Sequence, residues 1–203
     1  MKFRKHRIAA IAAAFVMAAG ASQAATYTAS NVVAEGTSYG TCATYSLAAC
    51  DANQRRVVGN ALGETDGRFY SLGLGGRLTL GFGAAMFGPG ALLTLEEVTF
   101  GGPQAGGHRE AVDVYSVLGG VATFVQTVYN TAAVTSLRIA NSFDHIQLVD
   151  ATLREYAGTR SYDGFDVDSV KVTIAPVPVP AAGALMLAGL GGLAMLRRRK
   201  AAV

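Results

Sequence analysis

Three aspartates lie within a few residues of one another in the stretch YDGFDVDSV: Asp163, Asp166 and Asp168. Calcium is held by about six to eight oxygens drawn from carboxylates and backbone carbonyls, so this is the strongest local candidate for a cation site. In a strand Asp166 and Asp168 alternate with Phe165 and Val167 and share one face. Like charges on one face repel unless solvent or a cation separates them. The plainer alternative is a solvated turn and strand edge with ordinary acidic decoration. Just upstream, YAGTRSY places Tyr156, Arg160 and Tyr162 in a glycine-containing loop. Aromatic rings beside planar polar side chains at a loop end suit a sugar ligand, and loops are where binding residues concentrate. A plain connecting loop is the competing reading. Tyr70, Tyr115 and Tyr129, with Arg109, Arg154 and Asn141, are further candidate contacts, although tryptophan is absent.

Other constellations fall short of chemistry. Glu96 and Glu97 are the residue types of a glycosidase pair, but neighbours in a strand point to opposite faces and cannot flank one bond. His108 and His145 show no HxH or HExxH spacing, and no serine sits in a GxSxG elbow. The run GLGGRLTLGFG from Gly73 to Gly83 lacks the GK[ST] ending of a phosphate loop, so its glycines serve turns and close strand approach. No nucleophile, base and orienting group assemble, and the chain is not expected to be an enzyme.

The elements that must carry these residues read as strands. Arg77 to Phe82, Ala91 to Phe100, Glu110 to Val117, Val121 to Asn130, Val134 to Ala140, His145 to Leu153 and Phe165 to Ile174 are short runs rich in Val, Leu, Thr, Tyr and Phe. Val167, Val170, Val172 and Ile174 come near to a period of two. Glycine and proline clusters at Gly75-Gly76, Gly88-Pro89-Gly90, Gly101-Gly102-Pro103 and Gly119-Gly120 separate them. Regular short strands with turn signals between them predict an all-β antiparallel sandwich or barrel.

Both ends are basic and apolar. Lys2, Arg4, Lys5 and Arg7 precede an apolar stretch from Ile8 to Ala19 and the small-residue sequence Ser22-Gln23-Ala24, the order of a secretory signal peptide over residues 1–24. At the other end, the apolar run Ala181 to Leu196 is shorter than the roughly 20 residues a span requires, unless the prolines from Ala175 onward contribute. Arg197, Arg198, Arg199 and Lys200 follow it and act as a membrane stop on the cytoplasmic side. Without these ends, 9 Lys and Arg face 14 Asp and Glu, a net charge of −5. The net charge of +3 for the whole chain is therefore no sign of a nucleic-acid partner. Export places Cys42 and Cys50 in an oxidising compartment, where a disulfide closing their short loop is expected; two free thiols are the alternative. The central 25–175 segment is long enough for one domain with its own core.

At the C-terminus, Val177-Pro178-Val179-Pro180-Ala181, the Leu/Gly/Ala run and the terminal Arg-Arg-Arg-Lys together resemble the PEP-CTERM sorting signal in its VPLPA-type variant, spanning 176–203. Val179 stands where the family's commonest form has Glu. The resemblance implies a Gram-negative exported protein, held transiently in the inner membrane, processed by an exosortase and released to the surface or the medium. The order ALGETDGRFYSLGLGGRLTLGFG, GPGALLTLEEV, REAVDVYSVLGG, HIQLVDATL and YDGFDVDSVKV further resembles the discoidin or galactose-binding-like domains found in such proteins. That likeness implies a jelly-roll sandwich that binds or builds, with exopolysaccharide as ligand or a purely structural matrix role as the alternative. It also implies a structural calcium, to which Asp66 in the ETDG turn would add an oxygen.

Overall fold

Side chains spaced two apart set the architecture. Leu78 and Leu80, Leu93 and Leu95, Val112 and Val114, Ile146 and Leu148, and Val170 and Val172 are each at most 1% exposed. A strand turns alternate side chains to one face, so each pair drives its strand onto a common core, at roughly 1.5–3 kcal/mol for each aliphatic side chain fully buried. The computed structural model describes residues 23–36, 54–99, 101–176 and 189–192. In chain order the strands are β1 (Ala25–Thr28), β2 (Asn31–Gly36), β3 (Tyr70–Ser71), β4 (Arg77–Gly81), β5 (Leu92–Glu97), β6 (Ala111–Leu118), β7 (Val121–Tyr129), β8 (Val134–Arg138), β9 (His145–Asp150) and β10 (Asp166–Ile174), with one short helix, α1 (Thr152–Glu155).

Two antiparallel sheets form. One has the order β1-β10-β5-β8 with β3 also on β10, and the other runs β2-β4-β9-β6-β7. The inner faces of both contribute to a single hydrophobic cluster, which makes the fold a β-sandwich. Apart from the β6–β7 hairpin, successive strands change sheet, the crossing habit of a jelly roll. All seven expected strands are present. The His145 run stops at Asp150 instead of Leu153, because Thr152 opens α1. Ala24–Ala175 form one compact unit.

β10 departs from simple alternation. Val167 opposes Glu97 and Ser169 opposes Glu96, so Asp168 is an extra residue, a bulge against β5. Val167 and Val170 are three apart and would otherwise face opposite sides. With the bulge both reach the core, and Asp166 and Asp168 do not share the single face that unbroken alternation predicts.

The two ends of the sandwich differ in character. Where β4 and β10 finish and β5 and β9 begin, Phe87 is the hub of an aromatic plug. Its ring stacks on Phe143 at 5.0 Å and meets Tyr27 and Phe82 edge-on at 5.2 and 5.5 Å. The other end is polar and carries the long loops. Among the described residues no helix is long and apolar enough to cross a membrane. Residues 189–192 are helical. Residues 1–22 of the expected 1–24 signal peptide, Cys42 and Cys50, the expected sorting motif Val177 to Ala181 and the basic block Arg197 to Lys200 lie outside the described residues.

Candidate functional site

At the polar end, two loops are stitched side by side. The Arg160 N–H donates to Gly107 O at 3.0 Å, and Thr159 Oγ1 donates to Arg109 O at 2.6 Å. Gly107 permits the approach: its φ is +82°, and a Cβ there would stand 3.3 Å from Arg160 Cδ. Stitching brings the β5–β6 loop against the β9–β10 loop, residues that are far apart in sequence.

The stitched loops present aromatic and planar polar groups together. Tyr156 and Tyr129, both partly exposed, meet edge to face at 5.9 Å. The Arg109 guanidinium lies 5.9 Å from the centre of the Tyr156 ring. Gln104 donates to the Tyr156 hydroxyl at 3.4 Å, and the Tyr129 hydroxyl donates to Glu155 at 2.9 Å. Such ring pairs and cation–ring contacts are each worth about 1 kcal/mol and fix side-chain directions. Tyr162, at the far side of the same loop, is half-buried against His108, with ring centres 6.4 Å apart, and beneath the Arg55 guanidinium at 5.7 Å. Arg160 is exposed. The loop chosen from sequence is therefore one side of the site, and Gln104 and Arg109 form the other. Remaining candidates lie elsewhere: Tyr70 is buried, Tyr115 packs on Phe124, Arg154 pairs with Asp113, and Asn141 reaches Ser116.

Beneath this rim lies a feature that the sequence reading missed. Glu97, Glu110, Asp163 and Asp166 are only 5, 3, 2 and 4% exposed. Arg55 pairs with Asp163, and Ser71 Oγ bonds both Asp163, at 3.1 Å, and Asp166. Thr99 donates to Glu97. Asn130, itself fully buried, accepts from the Glu110 N–H at 2.8 Å and donates to His108 O at 2.9 Å. Arg55 thus acts on Asp163 and Asp166 within a cluster of four carboxyl groups. Burial pushes the Glu97 carboxyl up to about 7. Burial, reinforced by the Asp166 charge, holds Glu110 well above the carboxylate range. Asp166 is raised likewise, first by burial and then by Asp163. Glu110 is close enough to act on Glu97, yet no hydrogen bond of ordinary length reaches Glu97 Oε2. Taking charge out of water is costly, so burial favours the protonated forms of Glu97, Glu110 and Asp166. The alternation of Leu93, Leu95 and Glu97 already turns Glu97 inward while Glu96 faces out to Lys171.

The four aspartates expected to share a cation fall into two settings. Asp163 and Asp166 belong to the Arg55–Ser71 cluster. Asp168 instead accepts from the N–H groups of Asp66 and Gly67 at 3.3 and 3.0 Å, and Asp66 Oδ1 accepts from the Arg68 N–H at 2.9 Å. Among the described residues, no three His, Cys, Asp or Glu side chains are arranged to hold a metal ion. A fifth acid, Asp150, ties the end together. It accepts from the N–H groups of Gly75 (3.0 Å), Thr152 (3.2 Å) and Phe165 (2.9 Å) and from Thr152 Oγ1 (2.7 Å).

No protein-family profile and no curated protein matches the chain. Solved structures do show similarity. A carbohydrate-binding module (CBM32-2) of a GH31 protein, bound to GalNAc, is 14% identical with a TM-score of 0.35; the match covers 49% of this chain and 64% of that one, just under two thirds. The family 32 module of Clostridium perfringens NanJ, in complex with galactose, is 12% identical with a TM-score of 0.38, over 74% of this chain and 100% of that one. The lectin domain of Lectinolysin complexed with Lewis B antigen is 12% identical with a TM-score of 0.37, over 77% and 94%.

Proposed function

We propose that this chain is an exported, non-catalytic glycan-binding domain. In this reading its signal peptide takes it across the inner membrane of a Gram-negative bacterium, and an exosortase acts on the C-terminal signal. The released domain then engages exopolysaccharide at the surface or in the matrix. One observation supports the binding role: two stitched loops hold Tyr156, Arg109 and Gln104 together beside Tyr129 of β7 at one end of the sandwich. Rings give a sugar an apolar face to rest on, and planar polar groups around them bond its hydroxyls. The carboxyl groups gathered beneath that end, Glu97, Glu110, Asp163 and Asp166, are closed off from solvent, so they do not flank a bound substrate as a glycosidase pair must.

A second reading, a matrix protein that works by self-association, draws on another feature. β7 is an edge strand, and Val121, Phe124 and Leu118 at its hairpin are 69, 54 and 43% exposed. An open edge with apolar side chains invites pairing between chains. A glycan array together with sedimentation of the same sample separates the two. Binding that falls about tenfold in Tyr156→Ala supports the module. A chain that binds no glycan but assembles with concentration supports the matrix protein.

A further inference from the structure

Two cations stand beside the aromatic rings at the loop end without a carboxylate partner among the described residues. Some cations elsewhere are matched by carboxylates, Arg154 with Asp113 and Glu155, Lys171 with Glu64 and Glu96, and Arg68 with Asp66, while Arg138 donates to Gly90 O at 3.1 Å. At the stitched loops, Arg109 and Arg160 are both exposed, and among the described residues neither forms an ion pair. The four acids beneath the rim are buried away from the solvent side, and Glu155, the acid at the rim, is taken up by Arg154 and Tyr129. The outer groups also offer donors, two guanidiniums and the Tyr156 hydroxyl, which accepts from Gln104 and keeps its own proton to give. A ligand that satisfies such a rim must bring acceptors. A neutral sugar brings hydroxyls, which donate as much as they accept and leave two cations without counter-charge. A planar carboxylate on the sugar ring matches a guanidinium fork in both shape and sign, and charge-assisted bonds of this kind are roughly twice as strong as neutral ones.

We infer that the site between the 104–109 and 156–162 loops takes an acidic polysaccharide, one whose sugars carry carboxylates as uronic acids do, with Arg109 and Arg160 as the residues that select for the charge. This rests on the glycan-binding reading above and narrows it to a ligand class. Although the body carries a net charge of −5 without its basic ends, the two unpaired guanidiniums give an anionic polymer a positive point of contact here.

The test is affinity electrophoresis of the full chain through gels containing polygalacturonate or a neutral galactan, at low and high salt. Polygalacturonate should retard the protein, and salt should weaken the retardation. Arg109→Gln and Arg160→Gln should each lower the affinity about tenfold, the worth of one charge-assisted contact. Arg→Lys variants should recover only part of it, because an ammonium keeps the charge but loses the fork. Unchanged melting temperatures for these exposed positions verify that folding is intact. Equal, salt-insensitive retardation by the neutral galactan overturns the acidic class while leaving the glycan module standing. Retardation by polygalacturonate that survives both Gln variants overturns the assignment of the site. Retardation by neither polymer removes the module itself.

Discussion

Replacing Glu97 with glutamine should make the domain more stable at neutral and alkaline pH, and the structure sets the size of the effect. Glu97 is 5% exposed beside Glu110, and its folded pKa is about 7 against an ordinary 4.5. A carboxyl that holds its proton more tightly when folded supports the native state fully below about pH 4.5. That support declines as pH rises to about 7. Each unit is worth about 1.4 kcal/mol, so the decline amounts to about 3 kcal/mol. For a domain of this size that is on the order of 10 °C in melting temperature. Glu110 and Asp166 are raised in the same direction and steepen the fall. Asp113, held below the usual carboxylate range by Arg154, loses its contribution only as pH falls beneath 3.8, outside this window. Glutamine keeps the shape of Glu97 and cannot ionise. The assay is thermal melting by circular dichroism from pH 4.5 to 8.5. Wild type should lose melting temperature across that range, and Glu97→Gln should match it at pH 4.5 and exceed it above pH 7. A wild-type melt that is flat or rises through the window, or a variant with the wild-type slope, would show that the buried acids are ionised in the native state.

Two further predictions concern the same end of the sandwich. Gly164→Ala should cost about 3 kcal/mol or more in urea unfolding, because φ is +72° there and the new Cβ would stand 2.6 Å from Asp150 Oδ2 and 2.8 Å from Gly73 O. Gly158→Ala, with open space at its Cβ, should be near neutral and serves as the control. Chelation with EDTA should leave the melting temperature unchanged, since Ser71, Arg55 and the N–H groups of Asp66 and Gly67 already engage Asp163, Asp166 and Asp168. A drop of several degrees would place a cation among these acids.

Most of the sandwich is legible in the sequence because strand formation leaves a local mark. Period-two spacing in the Leu78, Leu93, Val112, Ile146 and Val170 runs finds the strands that carry the core. β1, β2 and β3 leave little trace: β3 is two residues long, and the first two strands lie ahead of the runs that glycine and proline punctuate so clearly. The bulge at Asp168 is visible only as a flaw, the odd spacing of Val167 and Val170, whose cause lies in the register against β5. For the site, YAGTRSY carries its own signal of rings in a glycine-containing loop. Its partnership with Gln104, Gly107 and Arg109 does not, because the stitching depends on how two distant connections meet over a shared end. The acid cluster is hidden for the same reason. Four carboxyl groups from β5, the start of β6, the β9–β10 loop and β10 converge only after both sheets are built.

The place of β10 governs the timing of folding. It is the final strand in the chain, yet it lies inside its sheet, bonded to β1 and β3 on one side and to β5 on the other. The pairing of Ala25 with Ile174 joins the two extremes of the compact unit. Contacts of such long sequence separation form slowly, since the whole intervening loop must close before they reward it. A chain emerging from its N-terminus therefore has no complete first sheet until Ile174 arrives. Until then β1 has no partner, and the inward faces of β5 and β8 stay partly open. Truncation within Val170–Ile174 removes the middle of that sheet, whereas loss of β8 removes only a rim.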